Sequence, residues 1–358
     1  MAGYDAFLLV SFGGPEGRQD VIPFLENLTR GRRVPPERLA AVAEHYFAVG
    51  GVSPINQQCR DLLAAVGKDF AASGLDLPLY WGNRNWHPFL GDTVQAMAAA
   101  GVTRALAFVT SAYGSYSSCR QYLEDIERAR GQASAAGLAA PRIDKIRHYF
   151  NHPGFIEPVA DAVLAAIGRL PANLRDRAPL VFTAHSIPET MAADSGPPGG
   201  RPPPGRYVTQ LAEASRQVAA RAGGRPWRLV YQSRSGSPAQ PWLGPDVGEH
   251  LAGLAACGGR AAVLVPVGFI SDHMEVRHDL DTEAAATAAR LGLRLERAAT
   301  PAADPRFVSM ITELVRERLD GAPRRALGGL GPASDTCPAG CCLPAAPAAP
   351  AAPASART

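Results

Sequence analysis

Short apolar runs alternate with amphipathic segments along this 358-residue chain. The apolar runs, each a predicted strand, occupy residues 6–12, 79–82, 105–110, 143–149, 180–183, 229–232, 262–268 and 293–296. Between them, apolar positions recur at helical spacing, for example in residues 55–70, 93–100, 122–135 and 208–222. Strands that alternate with helices are typical of parallel sheets with helices on both faces. The pattern therefore predicts an α/β protein.

The eight predicted strands fall into two groups of four, which indicates two domains of similar architecture. The HPGF segment interrupts the alternation and puts the boundary between residues 1–150 and residues 151–304. A last helix, predicted over residues 305–320, follows the final strand and is expected to pack back on the first domain. Residues 321–358 contain three cysteines and end in a Pro/Ala-rich stretch, which predicts a mostly disordered tail.

Composition and charge argue against a nucleic-acid-binding protein and against a membrane-spanning one. The chain is 46% hydrophobic and 19% charged, and its 36 basic and 33 acidic residues leave a formal charge of +3. Because there is no long basic run, nothing predicts nucleic-acid binding. No apolar stretch approaches the roughly 20 residues that span a bilayer, and the first apolar run follows acidic Asp5, unlike a signal peptide. We therefore expect a cytoplasmic protein without a transmembrane segment.

Two polar motifs follow predicted strands of the second domain. TAHSIPE contains His185, and GFISDHMEV contains Glu275. Because ligands bind beyond the carboxyl ends of parallel strands, both side chains are expected to face one crevice. Asp279 and Glu283 follow Glu275 at steps of four, which keeps three carboxylates on one face of a helix. An imidazole opposite a row of acids suits the binding of a divalent cation and the transfer of protons.

Each of these residues also has a structural interpretation. A lone histidine at a strand end often caps the next segment, and Asp272-x-x-Glu275 fits a capping box with Asp272 as the N-cap. Asp279 and Glu283 fit a solvated helix face equally well. The density of polar groups around Glu275 is greater than capping needs, and this favours the functional interpretation.

Three loops add groups that suit an anionic or flat ligand. TRGRR contributes Arg30, Arg32 and Arg33, which fit either a solvated loop or a site for an anionic substrate. GGVSP and SAYGSYSSCRQY supply hydroxyls and aromatic rings, and together these segments can line a cleft. SFGGPEG follows the first strand but lacks the spacing and the lysine of a phosphate-binding loop, so a nucleotide site is not predicted.

The cysteines are unevenly distributed along the chain. In a reducing compartment they are not expected to form a disulfide framework. Three of them, Cys337, Cys341 and Cys342, lie within the motif CPAGCC, and this clustering favours soft-metal or iron–sulfur ligation. Such a cluster needs a fourth ligand. The sequence does not rank the remaining candidates, which are Cys59, Cys119 and Cys257.

The motifs SFGGP, GGVSPIN, NRNWHP, TAHSIPE, QSRSG and GFISDHMEV, in this order, resemble those of the ferrochelatases, most closely the coproporphyrin ferrochelatases of actinobacteria. The resemblance covers residues 4–320. It implies two Rossmann-like domains of the class II chelatase type, each with a four-stranded parallel sheet, and an active-site cleft between them. The implied reaction is the insertion of ferrous iron into coproporphyrin III in haem biosynthesis. Porphyrin and Fe²⁺ are then the substrates, and downstream haem-pathway enzymes are the expected partners.

The resemblance also implies roles for particular residues. His185 and Glu275 match the catalytic metal-site pair of the family, and Asp279 and Glu283 would form a path for metal or protons. The implied porphyrin-binding residues are Ser53, Tyr122, Tyr46, Arg30 and Arg33. A neutral imidazole is needed at His185, so activity is expected to fall as the pH drops through its pKa, roughly 6.5 if unperturbed.

Two positions depart from the pattern of the family. Phe12 stands where some Gram-positive members carry a tyrosine that can approach the metal, so no such contact is expected here. Animal members place a cluster ligand on the helix that follows HPGF, but residues 154–170 contain no cysteine. The fourth ligand of a two-iron two-sulfur cluster therefore stays open.

Several other functions stay open at this point. They are a protoporphyrin IX ferrochelatase, a sirohydrochlorin chelatase for cobalt or nickel, and a non-catalytic carrier of haem or metal. The four propionates of coproporphyrin suit the arginine-rich loop better than the two of protoporphyrin. A carrier would not need a row of acids opposite the histidine, and the histidine and glutamate motifs follow the ferrochelatase pattern, which disfavours sirohydrochlorin.

Overall fold

The computed structural model describes residues 3–31, 34–200, 204–235 and 240–344. Its strands are β1 (Ala6–Ser11), β2 (Leu79–Asn83), β3 (Arg104–Val109), β4 (Arg142–Lys145), β5 (Leu180–His185), β6 (Trp227–Gln232), β7 (Ala261–Val265) and β8 (Arg294–Arg297). Its α-helices are α1 (Arg18–Leu28), α2 (Pro36–Ala48), α3 (Ile55–Ala72), α4 (Leu90–Ala99), α5 (Gln121–Ala135), α6 (Pro153–Arg169), α7 (Ala172–Arg175), α8 (Glu189–Ala193), α9 (Arg206–Arg221), α10 (Val247–Ala256), α11 (Met274–Val276), α12 (Ala285–Arg290) and α13 (Pro305–Leu319). Two π-helices, π1 (Tyr116–Arg120) and π2 (Arg277–Ala284), lead directly into α5 and α12.

The strands form two four-stranded parallel sheets. The first sheet has the order β2-β1-β3-β4, and the second has the order β6-β5-β7-β8. Pairing is in register along each strand, with Phe7 opposite Leu79 in the first sheet and Leu180 opposite Val263 in the second. The α/β architecture with two parallel sheets is therefore confirmed. Within the described ranges, the helices lack the combination of length and apolar surface that a bilayer span requires.

Alternate residues of the central strands face different apolar clusters. Phe7 and Leu9 of β1 belong to one cluster, while Leu8 and Val10 belong to another on the opposite face of the sheet. All four are at most 1% exposed. A strand that is covered on both faces must be apolar at every position, which explains why β1 appears in the sequence as one unbroken apolar run.

The largest apolar cluster extends from the first sheet into the second. It contains Leu106 of β3, Leu180 of β5 and Phe307 of α13. The helix predicted over residues 305–320 is α13, and it packs against α3 and α6. Because this cluster is shared, the division of the chain into residues 1–150 and 151–304 stays a prediction.

The segment that follows α13 contacts the rest of the chain at several points. The Asn151 side chain donates a hydrogen bond to the Leu327 carbonyl at 3.2 Å, and Cys342 is 1% exposed. Most other residues between 321 and 344 are exposed or half-buried. That residues 321–358 form a mostly disordered tail stays a prediction. Residues 345–358 lie outside the described residues.

A buried ion pair connects α13 with the segment that follows β4. Arg147 donates from Nε to Glu317 Oε2 at 2.7 Å and from Nη2 to Glu317 Oε1 at 2.8 Å. The two side chains are 0% and 2% exposed. Two parallel guanidinium–carboxylate hydrogen bonds are a strong form of ion pair, and loss of one partner would leave a buried charge uncompensated.

We expect Glu317→Ala to lower the free energy of unfolding by about 3–5 kcal/mol, because Arg147 would stay buried without its counter-charge. Asp320→Ala, at the end of the same helix, is the matched control. Its ion pair with Arg316 is exposed, and such pairs contribute about 0–1 kcal/mol. Urea unfolding followed by circular dichroism measures both variants, and equal losses would show that the Arg147–Glu317 pair does not anchor α13.

Candidate active site

His185 is the last residue of β5 and lies at the carboxyl edge of the second sheet. Its Nδ1 is 2.5 Å from the carbonyl oxygen of Ser186, which fits a ring that donates from Nδ1 and turns Nε2 toward Glu275. The Tyr207 hydroxyl donates to the backbone carbonyl of His185 at 2.9 Å. The first contact fixes the orientation of the ring and the second fixes the backbone, so the direction of Nε2 is set.

Glu275 approaches His185 from the chain that follows β7. The distance between His185 Nε2 and Glu275 Oε1 is 3.6 Å, and the side chains are 32% and 44% exposed. Gly268 makes this approach possible, because a Cβ there would lie 2.7 Å from the Cα of Ala184. The structure therefore brings together the two residues that the sequence singled out, and both remain accessible.

The two side chains control each other's ionisation. Burial opposes the charged form of His185, but the Glu275 carboxylate raises the pKa of the imidazole to about 9. Burial likewise opposes the charged form of Glu275, but the His185 imidazolium lowers the pKa of the carboxyl to about 2. Without metal, the pair is therefore an imidazolium and a carboxylate at neutral pH. The pKa of His185 therefore lies well above the value of an unperturbed histidine, because its partner is so close.

The capping box predicted from Asp272 and Glu275 is not formed. His273 is the N-cap of α11, and its Nδ1 accepts a hydrogen bond from the Glu275 amide at 3.2 Å. Asp272 instead pairs with Arg297 at 3.1 Å. Since the Glu275 side chain is not used in capping, it is free to face His185.

The row of acids consists of Glu275 and, in the π2 helix, Asp279 and Glu283. A π-helix closes hydrogen bonds between residues five apart, so residues four and five apart both lie near one face. Ligand atoms of His278, Asp279 and Glu283 are consequently within 4.8 Å of one another. The sequence did not predict a role for His278, because residues five apart, such as His278 and Glu283, do not share a face in a regular α-helix.

The QSRSG motif holds the row of acids in place. Gln232 Nε2 donates to the Glu275 carbonyl at 3.2 Å and to Asp279 Oδ2 at 3.3 Å. The Ser233 hydroxyl donates to the same carboxylate oxygen of Asp279, from a backbone with φ of 61°. Burial, followed by the nearby Glu275 and Glu283 carboxylates, raises the pKa of Asp279. No role was predicted for this motif from the sequence. Its position at the carboxyl end of β6, where ligands of parallel sheets bind, could have indicated one.

Residues of the first half of the chain reach the same row of acids. The imidazole of His45, on α2, stacks on that of His278 with ring centroids 4.0 Å apart and planes at 14°. Tyr46 lies close enough to Glu275 that the carboxylate adds to burial in raising the pKa of the phenol. The Gln58 side chain accepts from the Asp272 amide at 2.9 Å. Groups from both halves of the chain therefore surround the site.

The other residues with an expected porphyrin role lie in different surroundings. Ser53 and Tyr122 are 4% and 5% exposed, so contact with a bulky ligand requires their neighbours to move. The Arg84 guanidinium lies 4.4 Å from the ring centroid of Tyr122. Arg30 is exposed just beyond α1, and Arg33 lies outside the described residues. The porphyrin-binding roles stay predictions.

Phe12 lies at the end of β1, beside the apolar cluster formed by α1 and α2. Its ring packs edge-on against Phe24, with 6.5 Å between the centroids. The phenyl group has no atom that can bind a metal. The expectation that this position makes no metal contact stays a prediction.

The tail cysteines lie against residues of both halves of the chain. Cys341 Sγ and Cys342 Sγ are 3.7 Å apart, and Cys342 Sγ accepts from the Gly196 amide at 3.2 Å. Cys119 of π1 lies near Cys337 and lowers the pKa of its thiol to about 5. The same proximity, together with burial, raises the pKa of Cys119.

Comparison with known proteins identifies the family. The family model described as Ferrochelatase matches residues 4–319. Coproporphyrin III ferrochelatase of Streptomyces griseus subsp. griseus is 53% identical over 351 residues, which cover 95% of this chain and 94% of that protein. The protein of the same name from Nocardia farcinica is 55% identical over 347 residues, with coverage of 95% and 97%. Among solved structures, SirB from Bacillus subtilis with Fe³⁺ has a TM-score of 0.50 at 12% identity, covering 87% of this chain and 96% of that one, a likeness in fold alone. This chain belongs to the ferrochelatase family.

Proposed function

We propose that this protein inserts Fe²⁺ into coproporphyrin III, with His185 and Glu275 as the groups that handle the metal and the pyrrole protons. The observation that carries the proposal is the 3.6 Å distance between His185 Nε2 and Glu275 Oε1, beside a row of acids. Membership of the ferrochelatase family supports iron as the metal. The names of the relatives from Streptomyces and Nocardia support coproporphyrin III as the porphyrin.

The spacing of the pair suits shared coordination of one metal ion. Imidazole nitrogen and carboxylate oxygen bind first-row metals at about 2.1 Å, so two such ligands on one ion lie about 3.0–3.5 Å apart. The observed separation of 3.6 Å needs little change to meet this requirement. Imidazole and carboxylate together also suit iron among the divalent metals. His185 and Glu275 can therefore take hydrated iron and hold it above the macrocycle.

Arrival of the metal can also create the base that the reaction needs. Before iron binds, Glu275 keeps His185 protonated, with a pKa of about 9. Once iron engages the Glu275 carboxylate, that stabilisation is lost and the positive ion repels the imidazolium, so His185 releases its proton. When the porphyrin nitrogens displace His185 from the metal, the neutral imidazole can accept one of the two pyrrole protons, and the second can leave through the neighbouring carboxylates. Delivery of the substrate and activation of the base are thereby coupled.

The row of acids beside the pair serves as the route for ions. Asp279 and Glu283 offer hard oxygen ligands that suit a hydrated divalent cation, and His278 adds a nitrogen ligand next to them. The raised pKa of Asp279 lets this carboxyl hold a proton more readily than an exposed aspartate does. The row can therefore pass iron toward Glu275 and carry protons away from His185.

The porphyrin is proposed to lie in the cleft between residues 1–150 and residues 151–304, with its carboxylates at Ser53, Tyr122, Tyr46, Arg30 and Arg33. Coproporphyrin III carries four propionates, which gives cationic and hydroxyl groups more partners than protoporphyrin IX offers. Binding energy at the periphery of the ring can be used to distort it and expose the nitrogen lone pairs. We also propose a cytoplasmic location, where reducing conditions keep iron ferrous and thiols free.

The tail cysteines are proposed to hold a two-iron two-sulfur cluster. Two thiolates that share one tetrahedral metal at about 2.3 Å have sulfur atoms about 3.7 Å apart, and Cys341 Sγ and Cys342 Sγ are separated by 3.7 Å. Cys337 is the third tail thiol and lies near Cys341. Iron and acid-labile sulfide in anaerobically purified protein would support the cluster, and protein without either would exclude it.

We expect His185→Ala to reduce the turnover number for iron insertion by about 10²–10⁴-fold, since it removes a metal ligand and a proton acceptor together. His250→Ala is the control, because His250 lies on α10 and interacts with Arg228. Turnover is followed under anaerobic conditions by the loss of coproporphyrin fluorescence. Near-normal turnover of His185→Ala would contradict the proposal.

The raised pKa of His185 gives a second prediction. Because a carboxylate favours the protonated imidazole, Glu275→Gln should lower the pKa of His185 from about 9 toward the ordinary histidine value of roughly 6.5. Titration of ¹³C-labelled histidine by NMR in metal-free protein measures the shift, with His185→Ala identifying the resonance. A wild-type resonance that already titrates near the ordinary histidine value would show that the two side chains are not coupled.

Substrate preference is tested with the two porphyrins. We expect kcat/KM for coproporphyrin III to exceed that for protoporphyrin IX by at least about tenfold, which corresponds to a difference of about 1.4 kcal/mol in transition-state binding. Both porphyrins are assayed with Fe²⁺ in the same detergent-containing buffer, so that solubility does not bias the ratio. Equal values, or a preference for protoporphyrin, would contradict coproporphyrin as the substrate while leaving iron insertion in place.

A further inference from the structure

We propose that Gln58 is a positioning residue for iron insertion, which sets where the Glu275 carboxylate lies relative to the first half of the chain. The inference rests on the proposed function and deepens it, because it names a residue that acts through Glu275 without touching the metal. Gln58 is half-buried in the first turn of α3, far from Glu275 in the sequence.

The side-chain amide of Gln58 pairs with the backbone of Asp272. Gln58 Oε1 accepts a hydrogen bond from the Asp272 amide at 2.9 Å, and Gln58 Nε2 donates to the Asp272 carbonyl at 3.5 Å. The first of these bonds has the length of a regular N–H···O hydrogen bond, whereas the second is long. A side chain from the first half of the chain therefore holds the backbone of a residue that lies 214 positions further on.

The side chain of Asp272 is held separately, by residues of the second half. Arg297, at the end of β8, donates from Nη1 to Asp272 Oδ1 and from Nη2 to Asp272 Oδ2, each at 3.1 Å. The Thr300 hydroxyl donates to Asp272 Oδ1 at 3.2 Å. Because the backbone and the carboxylate have different partners, Asp272 connects Gln58 with the second sheet.

A short turn with little freedom leads from Asp272 to Glu275. His273 Nδ1 accepts a hydrogen bond from the Glu275 amide at 3.2 Å, which closes the turn. Met274 and Val276, on either side of Glu275, are 4% and 0% exposed. Since the turn is closed and its apolar neighbours are buried, a displacement of Asp272 also displaces the backbone of Glu275.

Gln58 is carried by the same helix start as a proposed porphyrin contact. Ser53 directly precedes Pro54, the N-cap of α3, and the Ser53 amide donates to the Pro15 carbonyl at 2.8 Å. The first turn of α3 therefore lies between a group proposed for the porphyrin periphery and the group that holds the Glu275 segment. Through this turn, the porphyrin and the carboxylate are placed at a set distance. A misplacement of about 1 Å at a reacting centre can reduce the rate by about 10²-fold.

Gln58→Met tests the assignment, because methionine has nearly the shape of glutamine but makes neither hydrogen bond to Asp272. We expect kcat for iron insertion into coproporphyrin III to fall by about tenfold, as a displacement of a fraction of 1 Å implies. KM for coproporphyrin III should change by less than about twofold, because the porphyrin contacts remain. Turnover is followed under anaerobic conditions by the loss of coproporphyrin fluorescence.

The matched control is Gln57→Met, one position earlier on the same helix. The exposed Gln57 amide contacts Asp61 and Arg60, both on α3, and so has its partners within the helix. Gln57→Met should keep the wild-type kcat. A loss in Gln57→Met equal to that in Gln58→Met would show that any methionine at the start of α3 has this effect, and would overturn the assignment.

A double-mutant cycle with Glu275→Gln separates positioning from general destabilisation. If Gln58 acts through the Glu275 carboxylate, Gln58→Met should lower kcat by less than about twofold once that carboxylate has been removed. An equal tenfold loss in both backgrounds would show that Gln58 acts on something other than Glu275, and would overturn the proposal.

Gln58→Asn repeats the test with a polar side chain, in case methionine prevents folding. Asparagine is one methylene shorter and cannot close the 2.9 Å bond from the same backbone position, so the same loss of kcat is expected. Wild-type kcat in either folded variant would overturn the positioning role and leave iron insertion standing. A wild-type protein that does not insert iron would overturn the proposed function, and this inference with it.

Discussion

The interaction between His185 and Glu275 is the constraint around which the rest of the site is arranged. Burial disfavours the charged form of each side chain, and the opposite charge of its partner favours it. The imidazolium and the carboxylate are therefore both stable together, whereas burial would shift either one alone toward its neutral form. Such a pair is stable only until another cation competes for the carboxylate. At neutral pH the two groups are therefore both charged.

The π2 helix determines which groups lie beside this pair. Its wider turn brings His278 next to Asp279 and Glu283, and His278 in turn stacks on His45 from the first sheet's half of the chain. π-helical turns are uncommon and occur often at functional sites. Here the wide turn combines ligands of different chemistry with a contact between the two halves. The arrangement of these side chains therefore depends on both halves of the chain.

The tail connects to the same centre through a short series of hydrogen bonds. The Gly196 amide donates to Cys342, and the next residue back, Ser195, accepts at its hydroxyl from the Tyr207 amide at 2.8 Å. The Tyr207 hydroxyl then donates to the His185 carbonyl. Part of the tail is thereby connected to the backbone of His185.

The sequence by itself determined the α/β class, the two groups of four strands and the pair formed by His185 and Glu275, because periodicity and strand-end position are local properties. It did not determine the role of His278, the cap at His273, the raised pKa of His185 or the neighbours of Cys119. Each of these depends on a distance between residues far apart in the chain or on a π-helical turn that packing imposes. These features depend on the tertiary structure, because charges couple and ligands share a metal only when they lie within a few ångströms of each other, whatever their separation in sequence.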